Sequence, residues 1–277
     1  MNLADFQPGH PMPIAPGVQR LVAPNASPMT GPGTNSYLIG DPVWAIIDPG
    51  PDDDRHLAAI RAAAPAITTI FVTHTHRDHS PLARRLALET GAEVVGRTAP
   101  QDGRQDAGFA PHREPARDEY FRHGSETLQA IHTPGHASNH VCFLLQGEAM
   151  LFSGDHILDG VTPVILAPDG DMADYLAALR DLRGRHILRI APGHGRVLEA
   201  PVAVIDGVIA HRLRRESLIL QALRDAGRSD APALVVTVYH DTPQALHGMA
   251  RLTLEAHLIK LEREGRVRRE RDIWHAA

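Results

Sequence analysis

The chain has 277 residues, 43% of them hydrophobic, enough for one large core and a second small one. A net charge of −5 excludes the global basic field of a dedicated nucleic-acid binder, and aromatic residues, at 4%, leave little for base stacking. A single cysteine excludes an internal disulfide, and no apolar run approaches the ~20 residues that span a bilayer.

Residues 1–6 show no basic region followed by an apolar one, so no leader peptide is expected and a soluble, cytoplasmic protein is. The chain to about residue 34 is rich in Pro and Gly and reads as loop around one strand, 18–23. Strands at 36–39 and 43–47 flank the turn Gly40-Asp41-Pro42. Asp52-Asp53-Asp54 offers an N-cap and first-turn acids to a helix reaching about residue 63. A strand at 67–73 follows, and Ser80-Pro81 opens the next helix. After a strand at 93–96, residues 100–119 are polar and read as irregular. Strands at 127–133, 141–145 and 149–152, a helix at 171–182 and a strand at 187–191 complete a mixed pattern that fits two sheet layers covered by helices. Cys142 lies within the second of these apolar strands and reads as a buried, inert thiol.

From about residue 201 the character changes to a long helix to 225, a short apolar strand or turn, and a helix at 243–264. Leu246, Met249, Leu252, Leu254, Leu258 and Leu261 recur at helical spacing and read as core. Gly265-Arg266-Val267-Arg268-Arg269 reads as a turn and closing strand, the outline of a winged-helix unit. The domain expectation is therefore 1–200 and 201–277.

The chemistry concentrates in His74-Thr75-His76-Arg77-Asp78-His79, delivered by the 67–73 strand. Imidazoles and a carboxylate packed this closely are costly to bury unpaired, whereas two adjacent divalent ions would satisfy them. Further donors each follow an apolar strand: His136 in Thr133-Pro134-Gly135-His136, Asp155 in Ser153-Gly154-Asp155, and His194 in Pro192-Gly193-His194-Gly195. Donors handed over at several strand ends can converge on one sheet edge.

This set resembles the metallo-β-lactamase superfamily, whose two-metal site uses H-x-H-x-D-H followed by a separate His, Asp and His. The resemblance implies the αββα fold, with His74, His76 and His136 on one metal, Asp78, His79 and His194 on the other, and Asp155 bridging. Zinc is the expected ion, with iron and manganese as alternatives. A bridging carboxylate at Asp155 is generally missing from the β-lactam-hydrolysing branches, so antibiotic hydrolysis is disfavoured. The chain is more specifically similar to the lactamase-beta-like-2 family. The match rests on Gly33-Thr34-Asn35-Ser36-Tyr37-Leu38, His211-Arg212 with Arg215-Glu216, Tyr239-His240-Asp241-Thr242-Pro243, and the stretch from His257 to Gly265. Animal members of that family resemble single-strand-directed endoribonucleases.

The implied reaction uses a metal-bridging hydroxide as nucleophile, with Asp78 both a ligand and the residue that hydrogen-bonds and orients that hydroxide. Asp48 reads either as a residue orienting a ligand histidine or as a turn carboxylate. His140 and His211 are the candidate leaving-group acids, each also readable as a packing histidine. His10, His56, His112 and His123 fall in polar loops or on helix surfaces. Arg212, Arg214 and Arg215 could meet phosphates, but a solvated face beside Glu216 is preferred. Glu262, Glu264, Glu270 and Asp272 interleave with Arg266, Arg268, Arg269 and Arg271 and weaken that basic run as a nucleic-acid footprint. Single-stranded RNA is the first expected substrate, and a small thioester, lactone or ester the alternative. A metal-containing DNA-binding regulator and a homodimer through the tail helices are the remaining options.

Overall fold

The computed structural model describes residues 6–277, so the leader reading at residues 1–5 lies outside the described residues. Contacts divide the chain into two compact units. One holds the chain up to Thr133, Asn139–Val161 and Arg185–Pro201; the other holds Pro134–Ser138, Thr162–Gly184 and Val202–Ala277.

The first unit is built on two six-stranded sheets. One runs in chain order through β1 (Met12–Ala15), β2 (Val18–Val22), β3 (Asn35–Gly40), β4 (Trp44–Ile47), β5 (Ile67–Phe71) and β6 (Glu93–Val95). Pairing is antiparallel to β4 and parallel across β4, β5 and β6, because α1 (Asp54–Ala63) and α2 (Leu82–Thr90) act as the crossovers. Asp53 caps α1 by accepting from the Arg55 and His56 amides at 2.9 and 3.1 Å, as the acidic triplet predicts. The second sheet contains β7 (Glu119–His123), β8 (Glu126–His132), β9 (Val141–Leu145), β10 (Met150–Gly154), β11 (Arg189–Pro192) and β12 (Leu198–Glu199), with β10 and β11 parallel.

Period-two alternation sends the side chains of the first sheet both ways. Tyr37, Ile39, Ile47 and Phe71 meet Phe121, Phe143 and Phe152 of the second sheet. Phe71 packs edge-on to Phe121 with centroids 5.4 Å apart and against Phe143 at 5.0 Å. On the opposite face Leu38, Ile46 and Ile70 pack with Leu57 and Ile60 of α1 and Leu82 and Leu86 of α2. Cys142 is fully buried, and burial pushes its thiol up to about 12.

The second unit contains α3 (Met172–Arg183), α4 (Pro201–Ala226, its first residue in the other unit), β13 (Arg228–Asp230), α5 (Ala231–Val238), α6 (His247–Arg263), β14 (Val267–Glu270) and β15 (Ile273–Ala276). The last three strands form an antiparallel sheet ordered β13-β15-β14. Leu223, Leu234, Val238, Leu254, Leu258, Leu261 and Trp274 form its core. Among the described residues no helix is long and apolar enough to cross a membrane.

Some elements depart from expectation. The apolar stretch after α4 is the helix α5, not a strand or turn: the Asp230 carboxylate accepts from the Ala233 amide at 2.8 Å, and Pro232 sits in the first turn. Strands β1, β7 and β15 were not anticipated. His56 is not on a surface: it is 1% exposed, and its Nε2 lies 2.9 Å from Ser36 Oγ. Leu246 and Met249 are exposed rather than core, lying before and at the start of α6.

Candidate metal centre

Every donor anticipated from the sequence lies just beyond the C-terminal end of a strand. Asp48 follows β4, His74–His79 follow β5, His136 follows β8, Asp155 follows β10, and His194 follows β11. Two groups result: His74, His76, His136 and Asp155, and Asp78, His79 and His194. Within each group the donor atoms lie within 4.8 Å of one another, close enough to hold a metal ion.

The distances connect the groups. His79 Nε2 is 3.5 Å from Asp78 Oδ2 and 3.4 Å from Asp155 Oδ1. His194 Nε2 is 3.2 Å from Asp78 Oδ2 and 3.3 Å from Asp155 Oδ1. These separations exceed good charge-assisted hydrogen bonds and are what donors facing a shared cation would show. His74 Nε2 and His76 Nδ1 are 2.9 Å apart, so two nitrogen lone pairs would face each other unless a proton or an ion lay between them. The donor set thus fits divalent metal.

The opposite ring nitrogens are anchored, which sets the tautomers. His79 Nδ1 donates to Asp48 Oδ2 at 2.9 Å, His194 Nδ1 to the Gly33 carbonyl at 3.2 Å, and His136 Nδ1 to the Val164 carbonyl at 2.8 Å. Each anchor leaves Nε2 for the ion. Asp48 has the contacts of both readings, since beside the His79 ring it also accepts from the Thr73 amide and hydroxyl, both at 2.7 Å. With its hydroxyl proton given to Asp48, Thr73 accepts from His74 Nδ1 at 3.0 Å, which frees His74 Nε2. Thr73 was not expected at the site, and Gly33 and Asn35 stood only in a stretch that carries the family resemblance, with no role given to them. Asn35 Nδ2 holds the His194 loop by donating to the Pro192 and Gly195 carbonyls, both at 2.9 Å. The polar segment after β6 also contributes, with Gln105 accepting from Thr75 Oγ1 at 2.5 Å.

Carboxylates and imidazoles within the group hold one another charged. Burial opposes ionisation of Asp78 and Asp155, yet His79 and His194 hold both carboxyls well below the usual range. Burial would likewise lower His194, but Asp155 raises it to about 9. Burial is outweighed at His79 as well, where Asp78, Asp155 and Asp48 hold the imidazole well above its ordinary value. His74 goes the other way, pushed well below its usual value by burial and by His79, His76 and His140. Metal binding would therefore replace protons on the second group.

Glycine makes room for the group. A Cβ at Gly193 would stand 2.6 Å from Asp155 Oδ1 and 2.7 Å from His79 Cε1. Of the candidate acids, His140 is fully buried, stacked on His74 at 5.0 Å and 2.9 Å from Thr133 Oγ1, a packing position. Arg212, Arg215 and Glu216 are buried, so the solvated-face reading of that helix is corrected.

Comparison with known proteins agrees with this geometry. Residues 29–194 match the model of the metallo-beta-lactamase superfamily, and 231–274 that of the beta-lactamase associated winged helix domain. The chain is 34% identical over 271 residues to the beta-lactamase-like protein 2 homolog of Drosophila melanogaster, covering 92% of this chain and 91% of that one. It is 29% identical over 286 residues to the atrochrysone carboxyl ACP thioesterase AgnL7 of Paecilomyces divaricatus, covering 95% and 86%. A beta-lactamase domain protein from Burkholderia ambifaria superposes with a TM-score of 0.83 at 20% identity, covering 100% and 96%, a likeness of fold. The chain belongs to the metallo-beta-lactamase superfamily, as a metal-dependent hydrolase among the beta-lactamase-like protein 2 homologues.

Proposed function

We propose that the centre holds two divalent ions, zinc first, and that the chain hydrolyses acyl thioesters or related small esters. In this reading His74, His76 and His136 hold one ion, Asp78, His79 and His194 the other, and Asp155 lies between them. The observation that carries the two-ion reading is Asp155, which sits in the four-donor group while its Oδ1 is 3.4 and 3.3 Å from the two imidazoles of the other. Bound ions of this kind acidify a water and polarise the scissile carbonyl. Asp78 is the most open of the carboxylates, its side chain 27% exposed against 13% for Asp155. In this reading Asp78 would orient the attacking water by a hydrogen bond, while Asp48, Gly33 and Thr73 would keep the rings aimed. Covalent catalysis by Cys142 has no support, given a buried thiol pushed up to about 12.

Two observations favour an acyl substrate over RNA. Relatives across most of the chain are named as acyl carrier protein thioesterases. In the tail, Arg215, Arg266, Arg268 and Arg269 are each engaged by Asp241, Glu216, Glu270 or Asp272, which discounts these four as phosphate contacts. Cleavage of single-stranded RNA is the second reading, favoured by the similarity extending through the tail. Zinc-loaded protein should hydrolyse aryl and acyl-pantetheine thioesters and lose that activity in Asp78→Ala. Cutting of unstructured RNA without thioester turnover would overturn the acyl reading in favour of the second.

A further inference from the structure

The second unit contains a buried charge without a countercharge. Arg212, on α4, is 2% exposed. Its guanidinium donates to the Pro163 carbonyl and lies 5.4 Å from the Tyr175 ring centre. Neither contact carries negative charge, and among the described residues no carboxylate pairs with it. The neighbouring cations are matched. Arg215 meets both Asp241 oxygens at 2.8 and 2.9 Å, Lys260 meets Glu216 at 2.6 Å and Glu264 at 2.8 Å, and Arg266 meets Glu216 at 2.5 Å. A buried, unpaired ion costs far more than a protein keeps without return, and buried charges are ordinarily paired.

Around Arg212 lie donors that also lack partners. Arg212 Nε, the Tyr239 hydroxyl, both ring nitrogens of His257 and His211 Nδ1 are buried and accept or donate no hydrogen bond. Arg215 packs its guanidinium 4.6 Å from the Tyr239 ring centre. Burial and then Arg212 push His257 down to about 3 and His211 to about 4, so both imidazoles are neutral at pH 7 and each offers one N–H. Several unspent donors beside one unspent positive charge have the composition of an oxyanion site.

The geometry points to a carboxylate-binding site in the second unit, with Arg212 as its countercharge and Tyr239, His257 and His211 as neutral donors. A carboxylate fits better than a phosphate. One positive charge is unmatched, a monoanion neutralises it, and a phosphate dianion would leave a buried negative charge in its place. This inference stands on the second unit alone and does not rest on the acyl reading, although acyl hydrolysis releases a carboxylate.

The test uses the full-length, metal-loaded protein titrated with sodium acetate, with sodium chloride at equal ionic strength, and with inorganic phosphate. Thermal unfolding and histidine 1H–15N spectra are followed together. Acetate, but not chloride, should raise the unfolding temperature and move the His257 and His211 resonances. Arg212→Met should abolish both responses while unfolding no earlier than wild type in chloride, because it removes a buried unpaired charge. Tyr239→Phe, which deletes only an unpaired hydroxyl, should weaken acetate binding by about tenfold, and it carries the test should Arg212→Met fail to fold. An acetate response that survives Arg212→Met or Tyr239→Phe unchanged overturns the site, as does no response at all. A response to phosphate alone overturns the carboxylate assignment.

Discussion

Replacing Asp48 by Asn tests whether ring orientation controls the centre. Asp48 is 2% exposed and accepts three hydrogen bonds, one on Oδ1 from the Thr73 amide and two on Oδ2 from the Thr73 hydroxyl and His79 Nδ1. Asparagine keeps the size and tolerates the left-handed backbone at this position (φ 51°). Its amide can imitate only one of the two oxygens. If the carbonyl stays on the Thr73 amide, the NH2 faces His79 Nδ1 and the Thr73 hydroxyl. His79 then becomes an acceptor at Nδ1 and carries its proton on Nε2, facing the ion. Thr73, no longer donating to Asp48, donates to His74 Nδ1 and moves that ring's proton to Nε2 too. The reverse orientation sets two N–H groups against each other at the 2.7 Å Thr73 contact. Loss of such an orienting partner typically costs 10–100-fold in metal affinity, about 1.4–2.8 kcal/mol. Chelator competition with metal counting by mass spectrometry reads this directly, and circular dichroism checks that the fold persists. Two ions bound with wild-type affinity in Asp48→Asn would refute the tautomer argument.

Metal affinity should rise with pH, because His194, raised to about 9, and His79, also raised, must each lose a proton before binding. The expected gain is roughly tenfold per pH unit for each proton released, up to about pH 9. Calorimetry in buffers of different ionisation enthalpy would count the protons, and zero release would refute it. Gly193→Ala should fold yet lose metal and activity, since its Cβ would press to 2.6 Å from Asp155 Oδ1 and 2.7 Å from His79 Cε1. Full metal occupancy in that variant would contradict the close approach. His56 is a base whose folded pKa, about 4, lies below its ordinary value, chiefly through burial. Its contribution is therefore complete above about pH 6.5 and is lost as pH falls toward 4, about 2 kcal/mol by pH 5. Urea titrations from pH 7 to 5 should show a shallower acid loss in His56→Gln, and identical slopes would count against this.

The centre was legible because every donor follows an apolar strand, so His74–His79, His136, Asp155 and His194 announced both identity and position. The partners that aim them were not. Thr73 and the Gly33 carbonyl act through distance alone; Asp48 carried a hint, and Gly33 stood in a family-matching stretch without a role. The missed strands β1 and β7 are edges of their sheets, where half the hydrogen-bonding capacity is unpaired and the sequence need not be apolar. In β7 only Phe121 and His123 turn inward. Helix α5 reads Ala-Pro-Ala-Leu-Val-Val-Thr-Val, a strand by β-branching, but its Asp230 cap and its packing against Leu254 and Leu258 override that preference. His56 misled for a related reason: a lone polar residue on a helix was given the outer face, while Ser36 offered a partner within.

The donors of the first unit come from both sheets: His74, His76, Asp78 and His79 from the β5 edge, Asp155 and His194 from the ends of β10 and β11. An ion held by the proposed set would be gripped from both sides, a rivet through the sandwich tying layers also held by aromatic contacts such as Tyr37 on Phe152 at 4.9 Å. Chelation should then let the layers slip and lower the melting temperature, by the mass-action free energy of the lost ions. A substitution at any of these donors costs rigidity along with chemistry. The polar stretch between β6 and β7 supplies none of these donors, yet its Gln105 and Asp106 hold Thr75 and Ser80 within and beside the histidine motif, so changes there would reach the centre at one remove.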